Sequence, residues 1–392
     1  MKLFNVSAAP AALALALTLQ GCWEAPPMDN EQIGFRGVGM VQTTNPDVTD
    51  PLLARNQVPA ATPAPPAVEG APKASDVYQN VQVLGDLSVA EFARTMAAIT
   101  AWVSPEQGCA YCHEGDNFAE DNLYTKVVSR RMMQMTQTIN SQWGDHVQDT
   151  GVTCYTCHRG LNVPEYIWFE DPADNHARGM AAGNAGQNNV SVAAGYTSML
   201  RDPLTPYLVG EPREIRVAHE NVLPLKNQNN NRSMQELEQT WSLMMHMSDS
   251  LGVNCTYCHN SRNFSSWEQS PPARVTAWHG LQMVPAINND YMTPLQPVYP
   301  EHRLGRLSDA PKMACSTCHQ GLNKPLYGVS MLDDYPEWKA PLNDEATVAP
   351  DFSNVPEYLD PNNLDESATL ITPESIDVAV RSGIAAETDS VR

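Results

Sequence analysis

The pentapeptide Cys-x-x-Cys-His occurs four times: at Cys109, Cys112 and His113; at Cys154, Cys157 and His158; at Cys255, Cys258 and His259; and at Cys315, Cys318 and His319. A chain with this Cys and His content is expected to contain one copy by chance on the order of 0.005 times. Four copies therefore decide what the fold must be built around. Two thiols three positions apart can add to the two vinyl groups on one porphyrin edge, and the next residue then sets an imidazole over the iron. The spacing predicts four covalently bound haem c groups. Zinc or a disulfide framework is the competing reading of paired cysteines. Zinc, however, wants about four ligands per site and has no need of His after every second Cys.

The second and fourth motifs also share a tail, Arg159-Gly160-Leu161-Asn162 and Gln320-Gly321-Leu322-Asn323. This repetition, with helical patterns between the motifs, predicts a mainly α fold with much irregular structure. Its unit is helix, haem motif, helix, haem motif, used twice. Residues 81–165 form the first two-haem half and 226–330 the second. Each half opens on a capping box, Ser88-x-x-Glu91 and Ser233-x-x-Glu236. The first helix is expected to stop near Ser104-Pro105 and its counterpart near Ser250-Leu251-Gly252. The second helices carry Arg131 to Asn140 and Gly280 to Asn288, and residues 166–225 read as connecting loop with a short strand pair.

The ends differ from the core. Residues 1–21 hold a short Ala/Leu run after Lys2, too short for a bilayer span of roughly 20 residues, and read as a signal peptide. Leu19-Gln20-Gly21-Cys22 follows, a pattern similar to a lipoprotein box, which makes Cys22 the candidate lipidation site. Residues 22–80 read as a lipid-anchored Pro-rich arm, either a tether or a strap laid on a partner. Residues 331–392 read as an acidic, Pro-rich solvated tail.

Cys22 is the only cysteine outside the motifs, and covalent haem attachment places the chain outside a bacterial cytoplasm. A formal charge of -21 excludes a nucleic-acid binder and suits a basic protein partner.

An electron-carrying haem wants a second axial ligand, Met or His. Met96 is the one methionine on the helix before the first motif, whereas Met244, Met245 and Met247 crowd the helix before the third. Met132 and His146 are fourteen residues apart. On one continuous helix that is about 21 Å of rise and about 40° of rotation, so they share a face and cannot reach one iron. Aligning Asn140 with Asn288 sets Met132 opposite Gly280, so the second half lacks a local ligand for its last haem. His146 is the natural donor across the duplication, with His279 and Met283 as local rivals. His176, His219, His246 and His302 read as surface or supporting residues.

The four motifs, the repeated tails and these ligand spacings resemble the tetrahaem cytochrome subunit of purple-bacterial photosynthetic reaction centres, over roughly residues 80–330. The resemblance implies three His/Met haems and one His/His haem. It pairs Met96 with His113, Met132 with His158, Met244 with His259, and His146 with His319. It further implies a periplasmic, membrane-attached electron carrier docked on the L and M (and H) subunits. Such a carrier re-reduces the photo-oxidised special pair and is refilled by a soluble c-type cytochrome or a high-potential iron-sulfur protein. It also implies haems in a row with alternating potentials, the third-motif haem lying nearest the special pair. The expectation is thus an electron-transfer protein and not an enzyme.

Three readings compete. A nitrite- or hydroxylamine-type reductase needs an open sixth position, for which this sequence gives no sign, since every iron has a candidate ligand. A periplasmic electron-transfer lipoprotein of a respiratory chain is chemically indistinguishable at the haem sites. A structural lipoprotein does not need four irons.

Overall fold

A computed structural model describes residues 28–33, 40–115, 117–171, 202–212, 215, 234–341 and 360 of the 392-residue chain. Cys22 and the signal-peptide reading, Ser233 of the second capping box, His176, His219 and most of the acidic tail lie outside the described residues.

The described chain is mainly helical, joined by irregular segments. It opens with a hairpin, β1 (Asp29–Gln32) against β2 (Val41–Thr44) in antiparallel register, followed by α1 (Pro46–Arg55) and one turn, α2 (Ala74–Val77). The first half holds α3 (Val89–Val103), α4 (Tyr124–Gln142), the single turn α5 (Gly144–Val147) and α6 (Cys154–His158). The connecting segment supplies β3 (Ile167–Trp168) and α7 (Thr205–Leu208). Next come α8 (Met234–Leu251), α9 (Ala273–Ile287), β4 (Lys312–Met313) and α10 (Cys315–His319). Among the described residues, no helix is long and apolar enough to cross a membrane.

Local chemistry sets the helix ends. Ser88 Oγ accepts from Glu91 N–H at 3.3 Å while the Glu91 carboxylate accepts from Ser88 N–H at 3.0 Å, which is the reciprocal box read from the sequence. Helix α3 ends at Val103 with Ser104 as its cap, ahead of Pro105, and α8 ends at Leu251, ahead of Gly252, as expected.

Helix α4 corrects one expectation. It stops at Gln142, and Trp143 (φ -115, ψ 33) leaves the helical path before Gly144 opens the separate turn α5. Met132 and His146 therefore sit on different elements and not on one continuous rod.

The strand pair is also rearranged. Trp168 faces Lys312 and Ile167 faces Met313, so β3 pairs with the second half and not within its own segment.

Two cores hold these pieces together. One gathers Met135, Ile139, Leu208, Leu243, Val284, Ile287 and Met313 from both halves. The other gathers Leu84, Ala98, Trp102, Leu332, Tyr335 and Trp338. This second core moves the start of the tail. Met331, Leu332, Tyr335 and Trp338 are buried, Trp338 completely, so the body of the protein extends past residue 331. The Pro-rich segment lies on the body: Tyr155 Oη donates to the Gln57 carbonyl at 3.0 Å, Asn254 Nδ2 to the Val41 carbonyl at 2.6 Å, and Arg94 Nε to the Thr62 carbonyl at 2.9 Å.

Candidate functional site

The two halves use one set of hydrogen bonds. Gly160 N–H donates to the Trp102 carbonyl at 2.8 Å, and Gly321 N–H donates to the Ser250 carbonyl at 2.8 Å. Each glycine follows a left-handed residue, Arg159 or Gln320, and itself has φ of 86° or 85°. Only glycine takes that geometry without strain, which explains the repeated Gly in the tails. Asn140 grips Val152 through both its N–H (2.7 Å) and its carbonyl (2.8 Å), and Asn288 grips Met313 the same way (2.8 and 2.9 Å). These clamps hold the segment entering the second and fourth motifs. They also fix the register: Met96 and Met244 each stand six residues before the carbonyl that receives the tail glycine.

Five histidines share one arrangement. The Nδ1–H donates to a backbone carbonyl in His113 (Phe118, 3.1 Å), His146 (Thr276, 2.9 Å), His158 (Leu161, 2.8 Å), His259 (Phe264, 2.9 Å) and His319 (Leu322, 2.8 Å). A carbonyl can only accept, so each proton is on Nδ1 and each Nε2 keeps a free lone pair, the tautomer a metal ligand needs. Burial pushes the protonation of all five below the usual imidazole range. His319 falls to about 4, through burial first and then the neighbouring His146.

The other described histidines are engaged differently. His302 Nε2 lies 3.0 Å from the buried Asp360 carboxylate, and buried His246 meets Ser250 Oγ through Nε2 at 3.4 Å. Of the two rivals for the fourth motif, Met283 is buried in the shared core, and His279 turns Nδ1 toward Asp145 at 4.0 Å.

His146 and His319 face one another with ring centroids 6.0 Å apart. Two imidazoles on opposite faces of one metal, with metal–nitrogen bonds of about 2 Å each, would have centroids about 6 Å apart. The approach depends on Gly280, where a Cβ would stand 2.6 Å from His146 Cε1. The position that lacks a methionine in the second half is thus the position through which the imidazole of the first half enters.

The thiols are placed in pairs beside these ligands. Burial pushes Cys154 and Cys315 up to about 12, and Cys112 and Cys258 up to about 11, so they are neutral. Cys157 Sγ and Cys318 Sγ lie 2.6 Å apart where the halves meet. There Arg159 donates to the Cys318 carbonyl (3.3 Å) and Gln320 to the Cys157 carbonyl (3.1 Å). Among the described residues, no three His, Cys, Asp or Glu side chains converge to hold a bare ion.

Met96, Cys109, Cys112 and His113 line one end of a cavity of about 3010 Å³, and Met132, Cys154, Cys157 and His158 line another part of it. Ordinary ligand sites are about 300–1,000 Å³, so this space fits more than one macrocycle. Met244, His259, His146 and His319 lie outside that cavity. These residues therefore fit covalent haem: paired thiols and an imidazole with a free Nε2 at each motif, with open space beside the first and second.

The family model of the photosynthetic reaction centre cytochrome C subunit matches residues 24–339. The chain belongs to that family. It is 48% identical over 335 residues to the photosynthetic reaction center cytochrome c subunit of Rubrivivax gelatinosus, covering 86% of this chain and 90% of that one. The subunit of the same name from Thermochromatium tepidum is 48% identical over 339 residues (86% and 82%), and that of Roseobacter denitrificans is 45% identical over 320 residues (78% and 84%). As a member, this cytochrome subunit is an electron-transfer component and not an enzyme, and it carries covalently bound haem c.

The sequence pattern missed the carbonyls that orient the imidazoles. Those of Leu161 and Leu322 sit in the repeated Gly-Leu-Asn tails, so the repetition held the signal. The Thr276 carbonyl, contributed from a helix of the other half, had none.

Proposed function

We propose that this chain holds four haem c groups in a duplicated two-haem scaffold and passes electrons from a soluble periplasmic donor to the photo-oxidised special pair. Cys109 with Cys112, Cys154 with Cys157, Cys255 with Cys258 and Cys315 with Cys318 tether the groups covalently. His113, His158, His259 and His319 bind the irons from one side. Met96, Met132, Met244 and His146 close the other. Bound haem supplies a one-electron couple whose potential follows its axial ligands, higher with thioether and lower with a second imidazole.

The protein's own part is orientation. A fixed Nδ1–H bond holds each imidazole in one tautomer, so electron transfer demands little rearrangement. Closing both faces of an iron with protein keeps substrate and water off it. The observation that carries this reading is the 6.0 Å approach of His146 to His319, each with its Nδ1 tied and its Nε2 free. It supports a bis-imidazole site drawn from both halves.

The chain then works at the periplasmic face of the photosynthetic membrane, docked on the L, M and H subunits and lipid-anchored at Cys22. A soluble c-type cytochrome or a high-potential iron-sulfur protein refills it, and the acidic balance of -21 would speed the encounter with a basic partner. A respiratory partner finds no support in the family match, which is to reaction-centre subunits.

The test is a single-flash absorbance measurement on native membranes. Haem bleaching within microseconds to milliseconds of special-pair oxidation is expected. Its absence, or carbon monoxide binding to the fully reduced protein, would refute the closed electron carrier.

A further inference from the structure

Lys126 lies in the first turn of α4, and its side chain is 8% exposed. The ammonium donates to the Phe118 carbonyl at 2.8 Å and the Glu120 carbonyl at 2.7 Å, and it meets Asp121 Oδ1 at 3.0 Å. The Phe118 carbonyl is also the acceptor of His113 Nδ1–H, at 3.1 Å. A buried cation and the imidazole of the first motif thus share one oxygen. Arg130, one turn further along α4, takes the other Asp121 oxygen at 2.7 Å. Within the cluster two cations meet one carboxylate. Glu114 and Glu120 are held by Asn122 Nδ2, at 2.9 Å each.

We propose that Lys126 is a positioning residue that raises the redox potential of the iron bound through His113, with Asp121 opposing it. The inference rests on the haem reading above. Oxidising the iron adds a positive charge, and a desolvated cation nearby disfavours that step. The shared carbonyl acts in the same direction. An oxygen already accepting from an ammonium is a weaker acceptor for Nδ1–H, so the imidazole is a poorer donor to the metal.

The third motif lacks the shared oxygen. Arg274 stands fourteen residues before Asn288, as Lys126 stands before Asn140. Arg274 donates to the Ser266 carbonyl at 2.9 Å, two residues on from the Phe264 carbonyl that receives His259.

The experiment is an equilibrium redox titration of the haem α-bands in intact reaction-centre complexes carrying Lys126→Gln, Lys126→Arg or Asp121→Asn. With Lys126→Gln, one haem is expected to become more oxidised at fixed potential, on the order of tenfold in its oxidised-to-reduced ratio, or about 59 mV downward for a one-electron couple. Asp121→Asn should move the same haem upward, Lys126→Arg should restore most of the native value, and the other haems should not move. An unmoved titration in Lys126→Gln, or a downward shift in Asp121→Asn, overturns the proposal. Should Lys126→Gln fail to assemble, the direction of the Asp121→Asn shift decides. Mass measurement of the wild-type chain separates the two levels. Free thiols at Cys109 and Cys112 would overturn the haem reading and this proposal together, whereas four attached haems with unmoved potentials would overturn this proposal alone.

Discussion

The second and fourth motifs differ from the first and third in how much of the protein holds them. Cys154–His158 and Cys315–His319 are each a full α-helical turn, packed against one another where the halves meet. Their glycine tails dock on the preceding long helices and an asparagine clamp fixes their entry. The first and third motifs are looser 3₁₀ turns, Gly108–Tyr111 and Cys255–Tyr257, with their first cysteines exposed. Their histidines reach a carbonyl five residues on, and the phenylalanine supplying it lies against the imidazole, with centroids 4.6 Å apart for His113 and Phe118 and 5.4 Å for His259 and Phe264. The inner pair of sites is built by tertiary structure, the outer pair by a local loop. The inner sites should therefore tolerate damage to their own loops and fail when the scaffold is cut, and the outer sites the reverse.

The largest expected effect tests that contrast. Replacing Asn288 with Ala orphans the Met313 N–H and the carbonyls of Met313 and Leu208, all bonded to a side chain with no solvent exposure. At roughly 1–3 kcal/mol per unsatisfied buried group, the loss should be at least about 3 kcal/mol. The matching Asn140→Ala should cost less, because Asn140 is half-buried and water can stand in. Denaturant titration of the two variants checks the order, and equal losses would mean that the clamps are not equivalent devices in unequal burial.

Next in size is Gly280→Ala. Its Cβ would meet His146 at 2.6 Å, so the imidazole must move or α9 must shift. Overpacking of this kind costs typically 1–3 kcal/mol. The spectroscopic result should be larger than the energetic one: loss of the bis-imidazole signature and new carbon monoxide binding at a single haem. A variant that keeps the native spectrum would show that His146 does not enter through this gap.

Much of this was legible in the sequence because the chemistry is written in local patterns. The four motifs, the capping box at Ser88 and the glycine that ends each tail each need only neighbours in the chain to act. Gly280 was visible as well, since a duplicated sequence shows where one copy lacks what the other has. Less legible was whatever depends on distant contacts. Composition alone makes residues 331–341 a polar tail, yet Leu332, Tyr335 and Trp338 recur at three-residue intervals and fill the core behind α3. The Pro-rich arm has too little apolar surface to order itself, but it borrows partners such as Tyr155 and Asn254 from the body. The break at Trp143 went unseen because helical periodicity continues through it, although Gly144, a poor helix former, follows at once.

The smallest effect concerns acid, and it belongs to an outer site. Burial by itself would raise the Asp121 carboxyl, but hydrogen bonds from Arg130, Asn80 and Lys126 outweigh it and hold the group down at about 2. A carboxyl whose folded value lies below the ordinary value of about 3.9 contributes stability above that ordinary value and loses it as pH falls toward the folded one. Wild type should therefore exceed Asp121→Asn in denaturation midpoint at pH 5, and the gap should narrow steadily toward pH 2. The carboxylate is partly exposed, so added salt should shrink the gap at every pH. Among the described residues, no paired carboxylate acts on the histidines of the inner motifs, whose Nδ1 protons go to the carbonyls of Leu161 and Leu322. Their α-band positions should hold over the pH range in which the loop after His113 loosens. If the bands of all the haems drift together instead, acid is acting on the shared scaffold, and the distinction between loop-held and scaffold-held sites fails.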